Sequence, residues 1–175
     1  PICLFLVLAS PLTLSEIRSM LPAGMTAELL QGADQRRLLA LQPEARTAVR
    51  LAHGACSCDL VVHRHAVTRE DERWLRARYR ALGLTRAQTL AAISRHRRVV
   101  ATPSRPAAHW PAAVSAFVAE HARNAGPTLY LLHFSHDGSI AIPTPPTTTR
   151  ISTQEVIRTP GEWLREDALI VVEPA

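Results

Sequence analysis

An uninterrupted apolar run, ICLFLVLA at residues 2–9, limits what this chain can fold into more than any other stretch. It is too short to span a bilayer, where a helix needs about 20 apolar residues. It also lacks the basic lead of a secretory signal. The run does not alternate with polar residues, so both of its faces must be covered. A strand in the interior of a sheet, with a layer on each side, meets that demand. Residues 128–134 (TLYLLHF) and 168–173 (ALIVVE) read as strands of the same kind. No segment offers 18 apolar residues in a row, and three cysteines are an odd number, so a disulfide scaffold is not expected. These features predict a cytoplasmic protein.

Between the outer strands the periodicity changes. Thr13-x-x-Glu16 is a capping-box pattern and predicts a short helix ending near Leu21-Pro22-Ala23-Gly24. Residues 38–42 and 46–52 are read as strands separated by Pro43. Residues 60–63 form a further short apolar run. Residues 69–82 place Trp74, Leu75, Tyr79 and Leu82 on one helical stripe, and Gly83 ends that helix. Thr85 caps a second helix running to about His96, with Leu90 and Ile93 inward. A third is predicted over 110–124, with Pro111 in its first turn and Trp110, Val114, Phe117, Val118 and His121 facing in. His136-Asp137-Gly138-Ser139 reads as a turn whose strand returns through 140–142, and PTPPTTT at 143–149 as a stiff connector. Residues 151–157 are read as another strand. At 175 residues and 47% apolar content, the expectation is one α+β domain over 1–175. Its sheet is largely antiparallel with N- and C-terminal strands, and a block of about three helices lies in the middle.

The densest chemistry lies at 51–69, LAHGACSCDLVVHRHAVTR, where His53, Cys56, Cys58, His63 and His65 fall close together. Thiolate and imidazole are the usual ligands of zinc, and softer metals also take thiolate. C-x-C alone is a loose signal, because zinc pairs are usually spaced by two to four residues. It strengthens if Cys3, on the first strand, folds back beside it. Cys3, Cys56, Cys58 and His53 then make a Cys₃His set for a metal ion, zinc being the expected one. His63, His65 and His133 are alternative ligands. Two other readings stand beside this one: buried structural cysteines, and a thiol-redox enzyme using the C-x-C pair. A catalytic metal would also need a general base, for which Asp59 and Glu70 are nearest.

ICLFLVL, HGACSC, REDERWLRARYRALGLTRAQTLAAI and PTLYLLHFSHDG follow one another in an order that resembles an uncharacterised family of small bacterial proteins. Those proteins carry an early cysteine, a histidine followed by C-x-C, helices, and an apolar strand ending in His. The resemblance implies that the early cysteine is paired with the C-x-C, and it implies no activity. This chain departs from the pattern by placing two residues between His53 and Cys56.

All 20 basic residues other than histidine are arginine. From Arg64 to Arg105 there are eleven of them against Glu70, Asp71 and Glu72, whereas the rest of the chain is mildly acidic. Arg69, Arg73, Arg76 and Arg80 recur at helical spacing, which predicts a basic strip on one helix. Such a strip suits docking to an acidic protein partner, or phosphate contacts in a nucleic-acid-binding module. No recognition helix follows it, and no P-loop, dinucleotide fingerprint, HExxH or EF-hand pattern occurs. A prolyl amine at Pro1 is similar to the base of the tautomerase family, but the likeness stops at Pro1-Ile2. The sequence thus points to a small metal-binding protein that uses an arginine-rich face for a partner.

Overall fold

The computed structural model describes residues 3–61, 69–101, 109–135, 139–142 and 146–175. Pro1, His63, His65 and the predicted turn at His136 therefore lie outside the described residues. The chain divides into two compact units. The larger holds the sheet and its flanking helices. The smaller is a helix pair, α3 (Arg69–Ala81) and α4 (Arg86–Ala101).

The larger unit begins with β1 (Cys3–Ser10), which is followed by α1 (Leu14–Met20), β2 (Met25–Leu29), α2 (Gly32–Leu41) and β3 (Thr47–His53). A short 3₁₀ turn at Cys58–Leu60 comes next. After the helix pair come α5 (Trp110–Ala125), β4 (Thr128–Ser135), β5 (Thr148–Ser152), α6 (Thr153–Arg158) and β6 (Leu169–Glu173). The six strands form one sheet in the order β2-β3-β1-β4-β6-β5. Every neighbouring pair is antiparallel except β5–β6. This is the α+β architecture with N- and C-terminal strands that the sequence predicts. Among the described residues no helix is long and apolar enough to cross a membrane.

β1 lies inside the sheet, as its unbroken apolar run requires, and every residue from Leu4 to Ser10 is buried. Its alternate side chains feed two layers. Val7 and Ala9 join Ala48, Leu129, Leu131, Leu169 and Val171 in a cluster closed by Leu38 of α2 and by Ile140. On the other side the Ser10 hydroxyl meets the His121 imidazole of α5 at 2.6 Å. There Tyr130 packs edge-on against Trp163, whose Nε1 donates to Ser115 of α5.

Several local expectations are corrected. Residues 38–42 belong mostly to a helix, α2, because Leu38 needs only one buried face and its Ala, Gln and Arg neighbours favour helix. Residues 151–157 are divided between the end of β5 and α6. Ser152-x-x-Glu155 is a second capping box, and it stops the strand by starting a helix. Residues 139–142 do not return as a strand. Both edges of β4 are already taken, one by β1 and the other by β6.

In the smaller unit, Leu75, Tyr79, Ala92 and Ile93 form the buried contact, with Leu84 packed beside them. Trp74, Leu82 and Leu90, expected to face inward, are exposed. Two helices can bury only one narrow stripe between them, and Trp74 is covered on one face by the Arg78 guanidinium instead.

Candidate metal centre

β1 extends past β3 at one end. The registered pairing of the two strands stops at Leu6 and Leu51, leaving Phe5, Leu4 and Cys3 without a β3 partner on that side. The chain fills this place with its own next segment. At the end of β3 it turns back through Gly54 and Ala55, and the His53 N–H donates to the Cys56 carbonyl (2.9 Å). Gly54 has φ +67°, the positive value that such a tight reversal needs at its first corner and that glycine adopts without strain.

Ser57 then locks the segment against β1. Its N–H donates to the Leu4 carbonyl (2.9 Å). Its hydroxyl accepts from the Leu6 N–H (2.7 Å) and donates to the Leu51 carbonyl (2.5 Å). The residue has no solvent exposure. Ser57 itself is not extended (φ −99°, ψ 7°) and Cys58 opens the 3₁₀ turn, so fixing Ser57 against β1 holds the cysteines on either side of it beside Cys3.

The result is a cluster of three sulfurs. The Sγ atoms of Cys3, Cys56 and Cys58 all lie within 4.8 Å of one another, and the three residues are partly buried. In a tetrahedral zinc–thiolate site, with bonds of about 2.3 Å, sulfurs stand about 3.8 Å apart. Even at a 4.8 Å spacing the centre of such a triangle is only about 2.8 Å from each sulfur, so closure needs small side-chain movements. The Leu4 N–H donates to Cys58 Sγ (3.3 Å), a contact that favours thiolate. Burial is the larger effect and pushes the Cys58 thiol up to about 12. Burial and the neighbouring Cys56 also raise Cys3. Without a cation Cys3 and Cys58 are thus held toward the protonated thiol, and a metal ion among the three sulfurs would supply the charge that thiolates need.

The structure brings together three of the four sequence-predicted ligands. His53 is not in the sulfur group. Its Nδ1 meets Asp59 Oδ2 at 3.0 Å, and its ring rests against Trp110 (4.9 Å between centroids). Asp59, a candidate base, is thereby engaged, and the side chain of Glu70 lies outside the described residues. His133 is placed elsewhere. Its Nδ1 meets buried Asp167 at 2.7 Å, and its Nε2 accepts from the Ala141 N–H (3.3 Å). Of the predicted basic strip, Arg73, Arg76 and Arg80 are exposed on α3, while the side chain of Arg69 lies outside the described residues. Ser57 was the functional residue missed from sequence. The available signal was a small hydroxyl residue standing between two cysteines.

The three sulfurs form a group able to hold a metal ion. Comparison with known proteins found no matching family model, no similar curated protein and no similar solved structure.

Proposed function

We propose that this is a small metal-binding protein whose centre is the three thiolates of Cys3, Cys56 and Cys58, with zinc as the ion best suited to them. The observation that carries the reading is the mutual approach of the three sulfurs within 4.8 Å, drawn from strand β1 and from a turn more than fifty residues later. Small side-chain radii and neutral thiols can explain one buried cysteine pair. They give no reason for a third cysteine from a distant segment to converge on the same point. Three protein ligands leave the fourth tetrahedral position to water or to a donor from a partner. His53 is the nearby histidine, and its engagement with Asp59 and Trp110 supports a positioning role beside the centre rather than direct ligation. The exposed Arg73, Arg76 and Arg80 of α3 support an anionic partner as the second thing this protein binds.

Cobalt(II) titration of the untagged full chain tests the reading. Expected are thiolate-to-cobalt charge transfer and intense tetrahedral visible bands saturating at about one equivalent, with Cys58→Ser losing both. Pale octahedral cobalt, or a spectrum unchanged by Cys58→Ser, overturns it. A Cys56–Cys58 disulfide that forms in air and blocks cobalt irreversibly would favour thiol-redox chemistry instead.

A further inference from the structure

The smaller unit, which contains no cysteine, has a groove of its own. α3 and α4 enclose a groove of about 350 Å³ lined by Arg76, Arg80, Arg86, Thr89 and Leu90. That volume is at the small end of the range for small-molecule sites. Its lining departs from a solvated helical face in three respects.

The first is Thr89. The residue is 4% exposed, and its Oγ1 is buried without a hydrogen-bond partner among the described residues. A threonine inside a helix normally returns its hydroxyl to the carbonyl four residues earlier. Here the Thr85 carbonyl accepts the Thr89 N–H (2.8 Å), but the hydroxyl adds no bond to it or to any other described group, although the residue lines the groove. A buried hydroxyl without a partner is costly, and a ligand oxygen removes the cost.

The second is charge. Arg76 shares Glu72 with Arg97, and the Arg76–Glu72 distance is 3.5 Å. Arg80 and Arg86 have no acidic or carbonyl partner among the described residues. The groove therefore keeps an excess of about two positive charges, which matches a phosphomonoester, with its roughly −1.5 to −2 at neutral pH, better than a monoanionic carboxylate. Arg86, Thr89 and Leu90 also fall within the first five residues of α4, where the helix dipole adds positive potential.

The third is Leu90. It is 47% exposed at the groove and offers an apolar surface that a bare inorganic ion would not use.

We propose that the groove between α3 and α4 binds a small phosphomonoester, its phosphate held by Arg80, Arg86 and the Thr89 hydroxyl, with Arg76 beside them and the organic part lying on Leu90. A guanidinium fork can bond two oxygens of a phosphate at once, and the tetrahedral group has a third left for another donor.

Isothermal titration of the full chain with phenyl phosphate tests this, with inorganic phosphate and benzoate as comparators. Phenyl phosphate is expected to bind with a 1:1 stoichiometry, tighter than inorganic phosphate and at least about tenfold tighter than benzoate. Arg80→Gln and Arg86→Gln, both exposed positions, should each weaken it at least about tenfold with unchanged circular dichroism. Thr89→Val separates a ligand role from a structural one. Without ligand its melting temperature should equal or exceed that of the parent, because an unsatisfied buried hydroxyl is gone, while phenyl phosphate binding weakens about threefold or more. The proposal fails if benzoate binds as well as phenyl phosphate, if the arginine variants bind like the parent, or if Thr89→Val lowers the melting temperature without touching affinity. A single-stranded oligonucleotide that binds tightly, loses affinity steeply with salt and depends on Arg73 as much as on Arg80, while phenyl phosphate does not bind, would overturn it in favour of a nucleic-acid surface.

Discussion

Replacing Ser57 by alanine tests how the sulfur cluster is assembled. The Ser57 hydroxyl joins the Leu6 N–H (2.7 Å) to the Leu51 carbonyl (2.5 Å) at a position with no solvent exposure. Alanine fits the space but leaves one donor and one acceptor buried without partners. At about 1–3 kcal/mol for each unsatisfied group, partly offset by relaxation at the end of the strand pair, the expected loss is about 2–4 kcal/mol. Ser115→Ala provides the scale. It removes a single acceptor, that of Trp163 Nε1 (3.1 Å), and should cost about 1–2 kcal/mol. Urea denaturation followed by circular dichroism measures both, and an unchanged m-value keeps the comparison clean. Because the same residue orients Cys56 and Cys58, Ser57→Ala should also weaken cobalt or zinc binding by about tenfold or more, the range seen when groups that orient ligands are removed. A loss below about 0.5 kcal/mol together with unchanged metal affinity would refute the pinning role of this hydroxyl.

Other outcomes follow from the same geometry. Burial lowers the His121 imidazole from 6.5 to about 4, so the folded state stays neutral while the unfolded state takes up a proton. Stability is therefore complete above pH 6.5, falls by about 3 kcal/mol between pH 6.5 and 4, and levels off below that; His121→Leu should remove this slope in pH-dependent urea curves. Asp167→Ala leaves the His133 Nδ1 buried without its carboxylate, and it places alanine at φ +56°; a loss of about 3–5 kcal/mol is expected by thermal or urea unfolding. Zinc at about 100 times its dissociation constant should add about 2.7 kcal/mol to the unfolding free energy, and Cys3→Ser should abolish the gain. In metal-free protein Cys58 should react with iodoacetamide at pH 8 far more slowly than a free thiol, because burial holds it protonated.

The parts of this fold that could be read in advance are those where one local signal had no competitor. The β1 run admits no exposed face. The Thr13–Glu16 box and the Trp110-Pro111 start fix the ends of α1 and α5, and both occur as expected. The parts that could not be read are set by tertiary choices. β2 has only two buried residues of five, too faint an alternation to stand out between Gly24 and Gly32. Leu38 looks equally apolar in a strand or a helix, and only the layer that covers Val7 and Ala9 decides for the helix. The return through Ile140 failed because β1 and β6 occupy both edges of β4, a fact of sheet order that no local pattern carries. At the site, the cysteines were visible as residue types. Their convergence depended on the β1–β3 pairing ending at Leu51 while β3 runs on beside β2, and on Ser57 filling the gap, neither of which has a periodic signature.

The number of metal ions held per folded chain bears most directly on the three-sulfur centre. Untagged protein, supplied with zinc and then dialysed, can be measured by plasma mass spectrometry beside Cys3→Ser, Cys56→Ser and Cys58→Ser variants whose circular dichroism is native. About one zinc per chain is expected for the parent, with the ratio collapsing in each variant. A parent ratio below about 0.1 in natively folded protein, or a ratio near one that survives all three substitutions, would contradict the assignment.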